Sequence, residues 1–205
     1  MSKGYISKKI LLLQLDKLDM TDLENMKRKL REEIDAKNPI YSGNYGEQVA
    51  ILHFEETKQP FIHVHQEKWS KPLNMVALGA KRPDFYLLPL DDEINMIDAK
   101  YHTLGEQLEF TLSESELHEY LFLFQYVEKE FNRNFDKINL DLFIIPKEYG
   151  GLAYARVSLR EIINHKKMTP LNCPKDFGEI YSTYYSIPIK DRLTKIFTID
   201  EKFTA

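Results

Sequence analysis

Apolar residues recur along this chain at two periods, and the changes between them mark its elements. Ile10, Leu11, Leu15 and Leu18 share one side of a helix predicted over 5–18. Thr21 and Glu24 form a capping-box signature, and Leu23, Met26, Leu30 and Ile34 follow at helical spacing until Asn38-Pro39 stops them. These two segments predict an N-terminal helical hairpin over 1–40, packed on the core. After a turn-rich loop, a helix is predicted from about Tyr45 to Glu56, with Glu47, Ala50, Ile51 and Phe54 on one face. The period then shortens. Residues 61–69 alternate as a strand does, and the apolar runs 85–90 and 94–97 flank the acidic turn Asp91-Asp92-Glu93, a β-hairpin pattern.

Helical spacing returns after Ser113, which with Glu116 forms a second capping box. It opens a helix to about Phe131 whose inner face is Leu117, Tyr120, Leu121, Phe124 and Val127. Residues 138–145 predict a strand buried on both faces. Tyr149-Gly150-Gly151 turns into a further run over 152–157, and Ser158 with Glu161 caps a short helix to about His165. Residues 168–179 read as loop, 180–187 as a tyrosine-rich edge strand and 190–197 as a short helix. The order α-α-α-β-β-β-α-β-β-α predicts an α/β protein with a mixed central sheet flanked by helices. We expect a single domain, in which 1–40 packs against 41–205.

Composition narrows the function classes. With 205 residues the chain can build a core without staples. The 28 basic and 32 acidic residues leave a formal net charge of −4, so nucleic-acid contact must come from a local basic patch. The single cysteine, Cys173, excludes an internal disulfide framework and fits a reducing, cytoplasmic compartment. No stretch approaches the roughly 20 apolar residues of a membrane span, so no membrane partner is expected. The apolar run near the start is too short, and too soon broken by charge, for a signal peptide.

The chemistry concentrates around the hairpin. Asp84 stands at the start of its first strand, and its second ends Asp98-Ala99-Lys100. Because side chains alternate, Asp98 and Lys100 share a face. Glu47, on the preceding helix, points to the side that buries Ala50, Ile51 and Phe54, which is costly unless a cation meets it. An exposed first-turn glutamate that favours the helix dipole is the plainer reading of that residue taken alone. If the fold brings Glu47, Asp84 and Asp98 together, the crowded carboxylates repel, their pKa values rise, and a divalent cation relieves them. Hard carboxylate oxygens suit Mg2+ or Mn2+, which lower the pKa of bound water and take phosphate oxygens as further ligands. Lys100 beside such an ion can orient or deprotonate that water, or stabilise charge on the phosphate.

Pro83-Asp84, thirteen intervening residues and Asp98-Ala99-Lys100 resemble the signature of the PD-(D/E)xK nucleases, the restriction-endonuclease-like superfamily. Gly46-Glu47 on the preceding helix resembles the acidic position that many members carry there. The predicted order from about Tyr45 to residue 145 is similar to that superfamily's αβββαβ core. The resemblance implies Asp84, Asp98 and Glu47 as ligands of Mg2+ or Mn2+, the Ala99 carbonyl as a further ligand, and Lys100 as the catalytic lysine. It implies a metal-dependent endonuclease, favours DNA over RNA as substrate, and suggests a homodimer, with the N-terminal hairpin as a candidate dimer element. An RNA- or tRNA-cleaving, toxin-like enzyme is the alternative, and a non-catalytic nuclease-fold module binding nucleic acid or protein is another. A cap-snatching type of endonuclease fits less well, because a histidine is wanted where Glu47 stands.

Lesser signals surround this set. Lys68, Lys71, Lys81 and Arg82 bracket the hairpin entrance as candidate phosphate contacts, with solvated surface charge the equal reading for Lys68 and Lys71. His102 continues the face of Asp98 and Lys100, either to touch substrate or simply to end the strand. His63 and His65 share a strand face as zinc-binding pairs do, but no further His or Cys stands at ligand spacing, so a half-buried strand face is the stronger reading. Tyr120 and Gln125 lie on the helix after the motif, where Tyr120 reads equally well as core. The tyrosines at 181, 184 and 185 suit base stacking, though packing in a strand accounts for them as well.

Overall fold

The apolar strand expected over 138–145 lies at the centre of the molecule. A computed structural model describes Asn25, Arg28, Glu32 and residues 45–64, 66, 70–90, 92–170 and 181–195. Its elements are α1 (Tyr45–Glu56), β1 (Phe61–His63), α2 (Leu73–Leu78), β2 (Phe85–Leu87), β3 (Ile94–His102), β4 (Glu109–Ser113), α3 (Glu114–Phe131), β5 (Ile138–Pro146), β6 (Ala153–Ser158), α4 (Leu159–Ile162), β7 (Lys166–Pro170), β8 (Tyr181–Pro188) and β9 (Thr194–Lys195). Of the hairpin expected over 1–40, Asn25, Arg28 and Glu32 are helical and exposed. The rest of it, with His65, Lys68 and Cys173, lies outside the described residues.

The fold is mixed α/β. A six-stranded sheet has the order β1-β2-β3-β5-β6-β9, and a second, three-stranded sheet has the order β4-β8-β7. β1, β2 and β3 pair antiparallel, whereas β3 and β5 run parallel from Ile94↔Ile138 to His102↔Pro146. A parallel pair needs a long crossover, and α3 lies within it. One face of the large sheet packs Phe85, Ile97, Ala99 and Phe143 under α1. The other packs Ile94, Met96, Leu140, Leu142 and Ile144 under α3 and the second sheet. Burial of β5 on both faces from Leu142 onward explains the apolar run there, whereas Asn139 and Asp141 nearer its start are half-buried. Among the described residues, no helix is long and apolar enough to cross a membrane.

Several elements differ from expectation. The strand expected over 61–69 ends at His63, and α2 follows where none was foreseen. Its one buried residue, Met75, sets too weak a pattern to read in six residues. β2 ends at Leu87, while β3 extends to His102. β4 and β7 were not expected, and the tyrosine-rich β8 lies between them rather than at an edge. The helix expected over 190–197 is a 3-10 turn, Lys190–Arg192, followed by the short β9.

Phe85 anchors the sheet face next to the candidate site. It is fully buried, meets Phe54 and Phe61 edge-on and stacks on the His63 ring at 5.1 Å. Phe85→Ala should cost about 3–5 kcal/mol, the usual range for a fully buried phenylalanine, measured as a lower urea midpoint with unchanged slope.

Candidate active site

The stripe Ile94, Met96, Asp98, Lys100 along one face of β3 begins apolar and ends charged. Asp98 is 2 % exposed and Lys100 8 % exposed, opposite the buried Leu142 and Ile144 of β5. Removing such charges from water costs several kcal/mol per ion unless partners meet them. The partners come from the same motif, from α3 and from the segment before Asp84. Lys100 Nζ lies 2.8 Å from Asp98 Oδ1 and 2.6 Å from Glu116 Oε1. Lys81 Nζ lies 2.6 Å from the same Glu116 oxygen and 3.4 Å from Asp98 Oδ2. It also donates to the Tyr120 hydroxyl at 3.1 Å, which in turn donates to Glu116 at 3.3 Å.

These contacts decide the charge states. Burial works against the Lys100 ammonium, but Asp98 and Glu116 outweigh it and raise its pKa above that of a free lysine. Burial likewise works against the Glu116 carboxylate, but Lys100 and Lys81 hold its pKa at about 2. Tyr120 is pushed well above the usual phenol range by burial and by the charges of Asp98 and Glu116.

Asp84 adjoins this cluster from the residue just before β2. The register Phe85↔Ile97 continues through its backbone N–H, which donates to Ile97 O at 2.9 Å, while its carbonyl accepts from Val64 at 2.8 Å. The main chain is thereby held between two strands. Ala99 N–H donates to Asp84 Oδ2 at 2.7 Å. Since the N–H and C=O of an extended residue point to the same side of a strand, the Ala99 carbonyl faces this corner too. Burial first, then the charges of Asp98 and Glu47, push the Asp84 carboxyl up to about 8, against the opposing pull of the Ala99 N–H and Lys100.

Glu47 approaches from the α1 side. Gly46 allows it: a Cβ there would stand 3.1 Å from the Tyr101 Cβ, so the start of α1 lies against β3. The Glu47 side chain is 12 % exposed and its Oε2 meets His63 Nε2 at 3.0 Å. The cation wanted by an inward-pointing glutamate is therefore supplied by His63 when protonated. Glu47 is close enough to raise Asp84, but its direct partner is the histidine.

Asp84, Asp98, Ala99 and Lys100 thus come together, with Glu47 at their margin. Lys81, expected as a phosphate contact, stands inside the acidic cluster. Arg82 is turned to the chain before it, donating to Ser70 Oγ at 2.7 Å and to the Gln66 carbonyl. Gln66, Lys71, Lys81, Arg82, Asp84 and Glu119 help to line a cleft of about 540 Å3 that ends at the site. His102 is exposed at the strand end, beyond Lys100, and its pKa is lowered by burial and by Lys100. Gln125 is exposed, and Tyr185 is buried as core.

Sequence reasoning missed Glu116 as a site residue because its spacing from Ser113 reads as a capping box. Ser113 Oγ does accept from the Glu116 N–H at 3.2 Å, but the Glu116 carboxylate is turned to the lysines. Its place one turn before Tyr120, at the head of the buried stripe, was the available signal.

The donor chemistry at this corner fits a hard divalent cation through Asp84, Asp98 and the Ala99 carbonyl. Glu47 is directed to His63, and among the described residues no group of three or more His, Cys, Asp or Glu side chains is arranged to hold a metal ion.

The raised Asp84 carboxyl has a sign that can be measured. Between the ordinary aspartate pKa and about 8, the unfolded chain gives up this proton while the folded protein keeps it. Stability from this group therefore falls as pH rises through that window and levels off above it. In chelator at pH 8, Asp84→Asn should be more stable than wild type by at least about 1 kcal/mol. The difference should vanish near pH 4, as read from urea midpoints. No family model matches the chain, and neither does any curated protein or solved structure.

Proposed function

We propose that the protein is a metal-dependent nuclease that hydrolyses phosphodiester bonds, with DNA as the first candidate substrate. One observation supports this above the rest. Two opposite charges, Asp98 and Lys100, are buried in an otherwise apolar sheet face beside the carboxyl of Asp84, whose pKa burial raises to about 8. A buried ion pair is poor value for stability compared with apolar side chains of the same size. Strongly shifted groups beside a cleft are characteristic of sites that do chemistry. The order α1-β1-β2-β3-α3-β5, with α2 inserted after β1 and β4 after β3, and with β1 to β3 antiparallel and β3 parallel to β5, supports the restriction-endonuclease-like reading of the fold.

In this reading Asp84, Asp98 and the Ala99 carbonyl hold Mg2+ or Mn2+. A bound ion of that kind supplies a Lewis acid for the phosphate and a more acidic water. Lys100, kept as an ammonium between two carboxylates, would serve as a fixed donor to the attacking water or to the charge developing on the phosphoryl oxygens. Glu116 and Tyr120 hold that ammonium in place. Glu47 adds negative charge beside Asp84, and His63 fixes its orientation. Lys71 and Lys81 bring positive charge to the cleft.

A second reading, a nuclease-like fold kept for binding alone, draws support from the engagement of Asp98 by two ammonium groups and of Glu47 by His63. Incubation with plasmid and with total RNA, with Mn2+ or with chelator, separates the two. Nuclease activity should require the ion, and Asp84→Ala, Asp98→Asn and Lys100→Met should each lower the rate by roughly 100-fold or more. Equal rates in wild type and all three variants would remove the nuclease reading.

A further inference from the structure

Lys81 is the unexpected member of the cluster. Its main chain is fixed, since its N–H donates to Glu119 O at 3.1 Å and the preceding Ala80 donates to Met75 O at 3.1 Å. Its side chain lies over the Tyr120 ring, 4.9 Å from the centroid. Its three polar contacts are unequal. Glu116 at 2.6 Å is a strong charge-assisted bond, and Tyr120 at 3.1 Å is an ordinary one. Asp98 at 3.4 Å is the longest and the weakest. Lys100, by contrast, grips Asp98 at 2.8 Å.

Lys81 is also the more accessible lysine. Its side chain is 27 % exposed against 10 % for Lys100, and it lines the cleft together with Asp84. It therefore spans the two surroundings, with one contact on a buried carboxylate and its open side on the cleft.

Resting on the nuclease reading above, we propose that Lys81 is an exchangeable counter-ion: it occupies Asp98 Oδ2 while no divalent cation is present, and on metal binding it moves toward the cleft to take a non-bridging oxygen of the substrate phosphate. Two positive charges compete for one buried carboxylate oxygen, and like charges at such separations repel strongly in a partly buried setting. The weaker contact yields first, and a lysine on a four-carbon stem with its backbone tethered can swing without disturbing the fold. Glu116 and Tyr120 form the pivot, because both hold the Lys81 ammonium more closely than Asp98 does. Lys100 keeps its place.

This assignment makes Lys81 a competitor of the ion and a helper of the substrate, so its removal must act in opposite directions on the two. A purely structural lysine would not split them. The test uses the full chain, with urea midpoints as a folding control. Titration calorimetry with Mn2+ should show Lys81→Met binding the ion more tightly than wild type, by at least about 3-fold. Fluorescence anisotropy of a labelled single-stranded DNA oligonucleotide, in Ca2+, should show the same variant binding about 10-fold more weakly. The slope of log affinity against log salt should be shallower by about 0.7, the loss of one phosphate contact on a single strand. Lys81→Arg should restore the slope. Should Lys81→Met fail to fold, Lys81→Gln, which keeps a donor for Glu116 and Tyr120, supplies the same comparison. If wild type takes up no Mn2+, the nuclease reading falls and this inference with it. If wild type binds Mn2+ and the variants do not bind it more tightly, or leave the salt slope unchanged, this inference alone is overturned.

Discussion

A carboxylate enclosed between a sheet and a helix must be met by positive charge, and Asp98 imposes that demand on its whole neighbourhood. Lys100 meets it from the same strand, two residues away, where alternation puts both on one face. A lone lysine would itself be a buried cation with only one partner. Glu116 balances it, and in doing so draws Lys81 inward. The result is an alternating array of two acids and two lysines around the Tyr120 hydroxyl. Each charge in it is tolerable because its neighbours have the opposite sign. Asp84 lies outside this balance. Its carboxyl has the Ala99 N–H, but it also faces Asp98 and Glu47, and so it is the group most easily persuaded to hold a proton or another cation.

The geometry that makes the array possible comes from the topology more than from any one contact. β3 brings Asp98 and Lys100, while α3, in the connection from β3 to the parallel strand β5, brings Glu116 and Tyr120 back over them. Gly46 lets α1 close on the other side of the sheet near enough for Glu47 to be felt by Asp84. The cluster is thus made of segments on or beside the central parallel pair, whose register runs unbroken over nine residue pairs from Ile94↔Ile138 to His102↔Pro146. Fixed placement is what Lys100 needs if it is to act as a standing donor between Asp98 and Glu116.

How much of this the chain reveals beforehand follows from physical range. α3, β5 and the motif itself were legible because long amphipathic stripes and a two-sided apolar run leave strong periodic signals. Asp98 and Lys100 stood out because they interrupt such a run. β4 and β7 were illegible because each is five residues long and gains its strand character from β8, far away in sequence. The same holds for the site. The pairing of Asp98 with Lys100 is local and could be read. The pairings of Glu116 with Lys81, and of Glu47 with His63, depend on how helices settle on the sheet, which residue spacing alone does not encode. Glu116 was further disguised by a local role that its backbone does fulfil.

The second sheet also ties the timing of assembly to the order of synthesis. Thr111 of β4 sits opposite Ser186 of β8, 75 residues later. On a ribosome, β4 with Phe110 and Leu112 emerges long before Ile187 and Tyr185, the residues that pair beside them. Closing such a distant pair slows folding more than it costs stability, because loop-closure entropy grows only slowly with length. The second sheet, whose middle strand is β8, therefore cannot be completed until that strand has emerged, well after both strands of the central parallel pair.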